Sequence, residues 1–402
     1  MEPVREVEDS LSLHFHWFLP TYGDSRYLMA GGHGTGMQGD RAATLRYLNQ
    51  LAGAAELSGF EAVLTPTGLW CEDAWLSTAM LIDSTETLKF LVALRPGLTS
   101  PLVSAQMAAT FQWQSQGRLL LNVVTGGESH EQRAYGDFLN KEQRYERCGE
   151  YLDLLSQLFT SATPVDFAGT YVHAEGALLA RRPEPAPPIF FGGSSPGAGA
   201  VAAQYADTYL TWGEPPEQVR SKIEWIRGLA RAHGRELKYG IRLHVISRDT
   251  SQEAWAEADR LLHALDPEAV RKAQASLARS ESDGQRLMRE LHKDSALYVA
   301  GADARALEVY PNLWAGVGLV RGGAGTALVG SHEEVADRIA EYADLGLTHF
   351  ILSGYPHLEE AYRFGEGVRP ILQKRSLVAS EGNVSAEPVR GAFLPDLTPA
   401  SS

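Results

Sequence analysis

Arg242 and His244 stand two apart in the run KYGIRLHVIS (238–247). Side chains of a strand alternate between its faces, so these two point the same way. Inside a fold such a pair is costly unless an anion or carboxylates answer it. Either an anion site or an arginine paired to an internal acid fits. A second arginine, Arg321, leads the glycine-rich run GLVRGGAGTALVG (318–330). Gly323 and Gly325 begin a dinucleotide fingerprint, but the position three further on is Leu328, and no Gly-Lys-Ser/Thr follows. The run is therefore neither fingerprint nor phosphate loop. It reads as a flexible surface loop or as one that carries a guanidinium to a ligand. Ser194 and Ser195 follow Gly192-Gly193 and precede Pro196, as the first turn of a helix would. Free N–H groups and two hydroxyls at a helix's positive end make a phosphate cradle; a plain N-cap is the alternative. Cys71 could act as a nucleophile, yet no base is evident from spacing, and a packed thiol beside a ligand suits it better. Trp70, Trp212 and Tyr355 could wall a flat ring or simply fill core.

Elements must bring these residues together. Eight short apolar runs, 13–20, 60–67, 88–96, 118–126, 188–195, 208–214, 238–247 and 348–356, alternate with helical patterns near 41–58, 72–82, 101–115, 142–160, 197–206, 215–233, 331–345 and 357–373. That alternation predicts an α/β fold, a (β/α)8 TIM barrel, with an open doubly wound sheet as the other arrangement. Barrels place their chemistry at the C-terminal strand ends, where this chain gathers Tyr22, Asp24, Trp70, Cys71, Asn122, Gly193, Trp212, Arg242, His244 and Tyr355. One insertion before strand five (161–187) reads as a hairpin. A larger one between strands seven and eight (251–330) holds a polar helical stretch and then the glycine run. The domain plan is a flexible N-terminus (1–12), one barrel domain (13–375) and a tail (376–402) that is disordered or an oligomer arm.

The chain has 402 residues, 44% hydrophobic and 21% charged, with net charge −14 and pI near 5.4. An acidic balance argues against nucleic acid or an anionic membrane as partner, but not against a small anion, which answers to local charge. No run of eighteen apolar residues occurs and the acidic start is unlike a signal peptide, so a cytoplasmic location is expected, with Cys71 and Cys148 as thiols. Neither cysteine has a metal-ligand spacing and the histidines form no H-E-x-x-H, so no metal is expected.

WFLPTYGDSRYL, PTGLWCEDAW, FLVALRPG, GGSS, YLTWGEPPE, YGIRLHVI, NLWAGVGLVRGGAGTALVG and LSGYPHLEEAYR, in register from about residue 14 to 374, together resemble the reduced-flavin-dependent alkanesulfonate monooxygenases of the luciferase-like superfamily. The resemblance implies a bacterial-luciferase-type barrel. It also implies a two-component system in which an NAD(P)H-dependent flavin reductase supplies FMNH2, and O2 is used to break a sulfonate into aldehyde and sulfite. It places Cys71, Arg242, His244, Arg321 and Tyr355 in the active-site group, and Asn122, Thr125, Tyr145, Gly193, Ser194 and Ser195 around the flavin and its phosphate. It further implies a mobile loop bearing Arg321 that closes over the flavin, and a homodimer or homotetramer. Departures from the pattern fall at Tyr22, where members carry histidine, at Leu69-Trp70 and in the block 295–308. Tyr22, Trp70 and Trp212 are thereby the expected substrate-contacting residues.

Overall fold

The computed structural model describes residues 12–28, 39–291 and 302–379. The expected flexible N-terminus, most of the tail and part of the block 295–308 lie outside them. Thirteen strands occur among the described residues: β1 His14–Phe18, β2 Ala62–Thr65, β3 Lys89–Leu94, β4 Leu119–Val123, β5 Val165–Ala168, β6 His173–Ala177, β7 Ile189–Gly192, β8 Thr208–Trp212, β9 Lys238–Arg248, β10 Glu308–Tyr310, β11 Leu313–Trp314, β12 Ala327–Ser331 and β13 Leu347–Ser353. Eight of them pair in parallel around a ring, β1-β2-β3-β4-β7-β8-β9-β13, and β13 returns to β1 with His14 opposite His349. This is the closed (β/α)8 barrel of luciferase type rather than the open sheet, and its strands are those read from the sequence.

Closure follows from strands that are apolar on both faces. Along β1, Trp17 packs outward into the layer beneath the helices, while Phe18 joins Leu64, Leu91, Leu120, Phe190, Leu210 and Ile351 in a plug that fills the barrel. The wrapping helices start where short polar side chains cap them. Ser100, Asn140 and Ser195 accept from the backbone N–H three residues on, and Pro101 and Pro196 open their helices with φ already set. The 161–187 insertion is the antiparallel β5–β6 hairpin.

The larger insertion departs from its sequence reading in two ways. Its helical stretch breaks at Asp266-Pro267 into Ser251–His263 and Pro267–Leu277, and a third helix, Asp283–Glu290, follows. The glycine run is not a surface loop. Its second half is β12, which pairs in parallel with the extended end of β9 from Ala327↔His244 to Ser331↔Arg248. From Gly318 to Gly330 every residue is buried except the half-buried Gly323. The barrel domain also runs past 375: the Leu13 N–H donates to the Leu377 carbonyl, and Val378 is buried.

Candidate active site

Inward-facing positions on the strands form layers, and the top layer is polar. Arg242 lies above the plug, its guanidinium 4.2 Å from the centroid of Phe18, and its Nη1 and Nη2 have no hydrogen-bond partner. Burial, helped by nearby Arg321, brings its pKa down to about 9, so it still carries charge at neutral pH. Arg321 enters from the glycine run onto the same ring, 5.4 Å from its centroid. Its Nη1 donates to the Tyr22 hydroxyl at 2.7 Å and to the Tyr355 hydroxyl at 3.1 Å. Burial works against its charge; the two phenol oxygens work for it. The ion pairs among the described residues include neither arginine with a carboxylate, which removes the alternative of an arginine answered by an internal acid.

His244, two positions up β9 from Arg242, joins Ser353 Oγ through Nδ1 at 2.9 Å, and its ring stacks on Tyr355 with centroids 5.5 Å apart. Burial and the two arginines hold it well below the usual histidine pKa, so the ring is neutral; its Nε2 has no partner. Tyr355 packs edge-on against His357 with centroids 5.4 Å apart, and His357 is held by Asp24. That carboxylate accepts from the His357 backbone N–H at 2.9 Å and His357 Nδ1 at 2.8 Å, and from the Tyr47 hydroxyl. Burial keeps the Tyr355 phenol protonated.

Six residues expected around a flavin, Asn122, Thr125, Tyr145, Gly193, Ser194 and Ser195, line one cavity together with Trp212 and Arg242. The Tyr209 hydroxyl donates to the Gly193 carbonyl at 2.6 Å and fixes the turn. A Cβ at Gly193 would lie 2.5 Å from that of Ala198, so only glycine leaves this cradle open. The serines divide the work: Ser195 Oγ accepts from Ala198 N as an N-cap, and Ser194 faces the cavity at the positive end of the ten-residue helix Pro196–Tyr205. The cavity thus presents a glycine turn, a hydroxyl and a helix N-terminus, donors that suit a phosphate group. Several cavity residues were not found from sequence. Lys141 and the stretch Ser282, Asp283 and Gly284 close its far wall, with Lys141 Nζ 2.6 Å from Asp283 Oδ2. No local motif marks them: Lys141 opens the helix Lys141–Thr160, and the stretch 282–284 of the insertion is brought beside it only by folding.

Other expected residues stand apart from the arginine pair. Cys71 Sγ points at the Pro66 and Gly68 carbonyls, beside Thr21, Arg95 and Glu131, and burial pushes its thiol up to about 12. Trp70 meets Tyr22 edge-on at 5.0 Å, at the rim and outside the cavity that Trp212 lines. Among the described residues no group of three His, Cys, Asp or Glu could hold a metal, and no helix is long and apolar enough to cross a membrane.

A parallel barrel whose C-terminal mouth holds a cavity at a helix N-terminus and two guanidiniums without a carboxylate partner among the described residues has the layout of a ligand-binding α/β barrel. Residues 13–349 match the family described as luciferase-like monooxygenase, and the chain belongs to that family. Its backbone is similar to riboflavin lyase, solved with a modified FMN and riboflavin, at TM-score 0.74 and 22% identity over 92% of this chain and 93% of that one. It is similar to the EDTA monooxygenase of Chelativorans sp. BNC1, at 0.72 and 19% over 92% and 95%. A long-chain alkane monooxygenase matches at 0.73 and 20% over 92% and 93%.

Proposed function

We propose that the protein is an FMNH2-dependent monooxygenase that desulfonates an alkanesulfonate, supplied with reduced flavin by an NAD(P)H-dependent reductase. The balance is sulfonate, O2 and FMNH2 giving aldehyde, sulfite, FMN and water: one oxygen atom goes to the carbon as the C–S bond breaks, and the other leaves as water with the flavin's two electrons. When bound, the flavin supplies the activation of O2. The chain's own groups do the rest. Asn122, Thr125 and Tyr145 would hold the ring system, and Ser194 with the helix N-terminus would hold the phosphate. Arg242 and Arg321 hold the sulfonate with forked, charge-assisted hydrogen bonds. Neutral His244 keeps Nε2 open as a hydrogen-bond partner, and protonated Tyr355 steadies Arg321.

One observation carries this reading: the Nη1 and Nη2 atoms of Arg242 are buried and have no hydrogen-bond partner, on a guanidinium that is charged at neutral pH. Leaving it so costs several kcal/mol, of order 3–5, unless an anion arrives. The resemblance of the site's motifs to the sulfonate branch supports an oxygenated anion as that ligand. The test is purified protein with a flavin reductase, NAD(P)H and FMN, assayed for sulfite from sulfonates of increasing chain length. Flavin-dependent sulfite release supports the proposal; none across the series sinks it. The second reading is a carboxylated amine, since a guanidinium pair grips carboxylates equally well and the EDTA monooxygenase shares the fold. Oxygen uptake with such a substrate and no sulfite would favour it.

A further inference from the structure

We propose that Gln274 and Gln285, two neutral side chains of the insertion, are positioning residues that set where the Arg321 guanidinium sits. The inference deepens the role given to Arg321 above and rests on that reading for its meaning. The run around Arg321 does not define its own path. Five of the eight residues from Gly318 to Gly325 are glycine or alanine beside the arginine, and Gly323 takes φ +85°, open to glycine at no cost. Its local backbone bonds are short-range turns: Val320 N and Arg321 N donate to the Val317 carbonyl at 3.3 and 3.2 Å, and Gly318 N to the Ala315 and Gly325 carbonyls at 3.1 and 2.8 Å.

The insertion supplies the missing constraint from both sides. Ahead of the arginine, Gln274 Nε2 donates to the Gly318 carbonyl at 2.9 Å and to the Leu319 carbonyl at 2.7 Å. Behind it, Gly323 N donates to Gln285 Oε1 at 2.9 Å, and Gln285 is only 2% exposed. Arg321 is thus bracketed, and by amides. Gln285 also follows directly on Gly284, which lies so close to Trp212 that a Cβ there would be 2.9 Å from the indole. One helix start therefore touches both the flavin-side cavity and the arginine run, fixing the distance between them.

The test reads Arg321 itself and needs neither substrate nor flavin. Gln285→Met and Gln274→Met keep volume and remove the polar contact; Gln285→Glu keeps the acceptor for Gly323. Phenylglyoxal modification of Arg321, followed by peptide mass spectrometry, is compared with that of Arg144, which is 2% exposed and serves as the internal reference. Each Met variant is expected to speed Arg321 modification about five- to tenfold, the worth of one to two backbone hydrogen bonds, with Arg144 unchanged and Gln285→Glu close to the parent. Arg321 rates within about twofold of the parent in both Met variants, Arg144 rising in step, or no rescue by Glu would each overturn it. Failure of the desulfonation reading shows separately, as the absence of sulfite from the unaltered protein.

Discussion

Arg321 Nη1 donates to the Tyr22 hydroxyl at 2.7 Å, a bond between side chains 299 positions apart in sequence. It joins the first strand's exit to the last part of the insertion, and Trp70 braces Tyr22 from outside. The histidine expected of relatives at this position gives way to a hydroxyl, so Arg321 is held by a phenol oxygen rather than by a carboxylate.

Tyr22→Phe removes that acceptor and little volume. Arg321 keeps Tyr355, so the loss is one charge-assisted hydrogen bond at a half-buried site. The expected effect is a fall in kcat/KM for the sulfonate of about tenfold, the low end for such a bond, with FMN affinity unchanged. Steady-state sulfite release and FMN fluorescence titration check it; equal loss in both would show that Tyr22 serves the flavin instead.

Much of this was legible in the sequence because it depends on local pattern. The eight barrel runs are apolar and punctuated, and Arg242 with His244 share a face by strand alternation alone. Ser194-Ser195-Pro196 announces a helix start. What was hidden depends on distant partners. The strand Ala327–Ser331 is masked by the glycines around it and forms only because β9 extends far enough to pair with it. Gln274, Gln285 and Lys141 carry no motif, since two of them grip backbone rather than a ligand. The lone Gly323 at positive φ explains a turn, not a hinge, so the run's composition pointed to a loop where packing makes a buried wall.

Arg242→Met separates stability from function. A base whose folded pKa is depressed costs the folded state free energy at neutral pH, and here the guanidinium has no protein acceptor to offset it. An apolar side chain of similar length over Phe18 should stabilise the fold by about 1 kcal/mol or more, while turnover is lost. Thermal or urea unfolding measured beside sulfite release would show the opposite movements. A destabilised variant would mean that Arg242 is answered by a group already in the protein.

Cys71 offers a check on nucleophilic chemistry. With its thiol pushed up to about 12 and pointed at two carbonyl oxygens, it is almost wholly protonated at pH 8. Iodoacetamide should leave it unmodified while free glutathione in the same tube is consumed. Rapid stoichiometric alkylation of Cys71 would revive a thiolate mechanism.

The closed end of the barrel sets the acid limit of stability. His16 Nε2 meets His349 Nδ1 at 3.0 Å inside the barrel, and burial is the chief cause that lowers the pKa of His16 to about 4 and of His349 to about 2. Above them stands the apolar plug; beside them His14 stacks on His349 and bonds Glu61, which also binds Lys89. Both buried rings are neutral in the folded protein, whereas in the unfolded chain each takes up a proton near pH 6.5. The unfolded state therefore binds more protons in that window, and stability is lost as pH falls from about 6.5 toward 4, by up to about 1.4 kcal/mol per pH unit for each ring. Urea unfolding at pH 7, 6 and 5 should show that slope. His349→Gln, which keeps polar atoms but cannot titrate there, should flatten it by close to one proton. An unchanged slope in the variant would place the acid sensitivity elsewhere, in the carboxylates that Arg41, Arg95 and Arg248 hold.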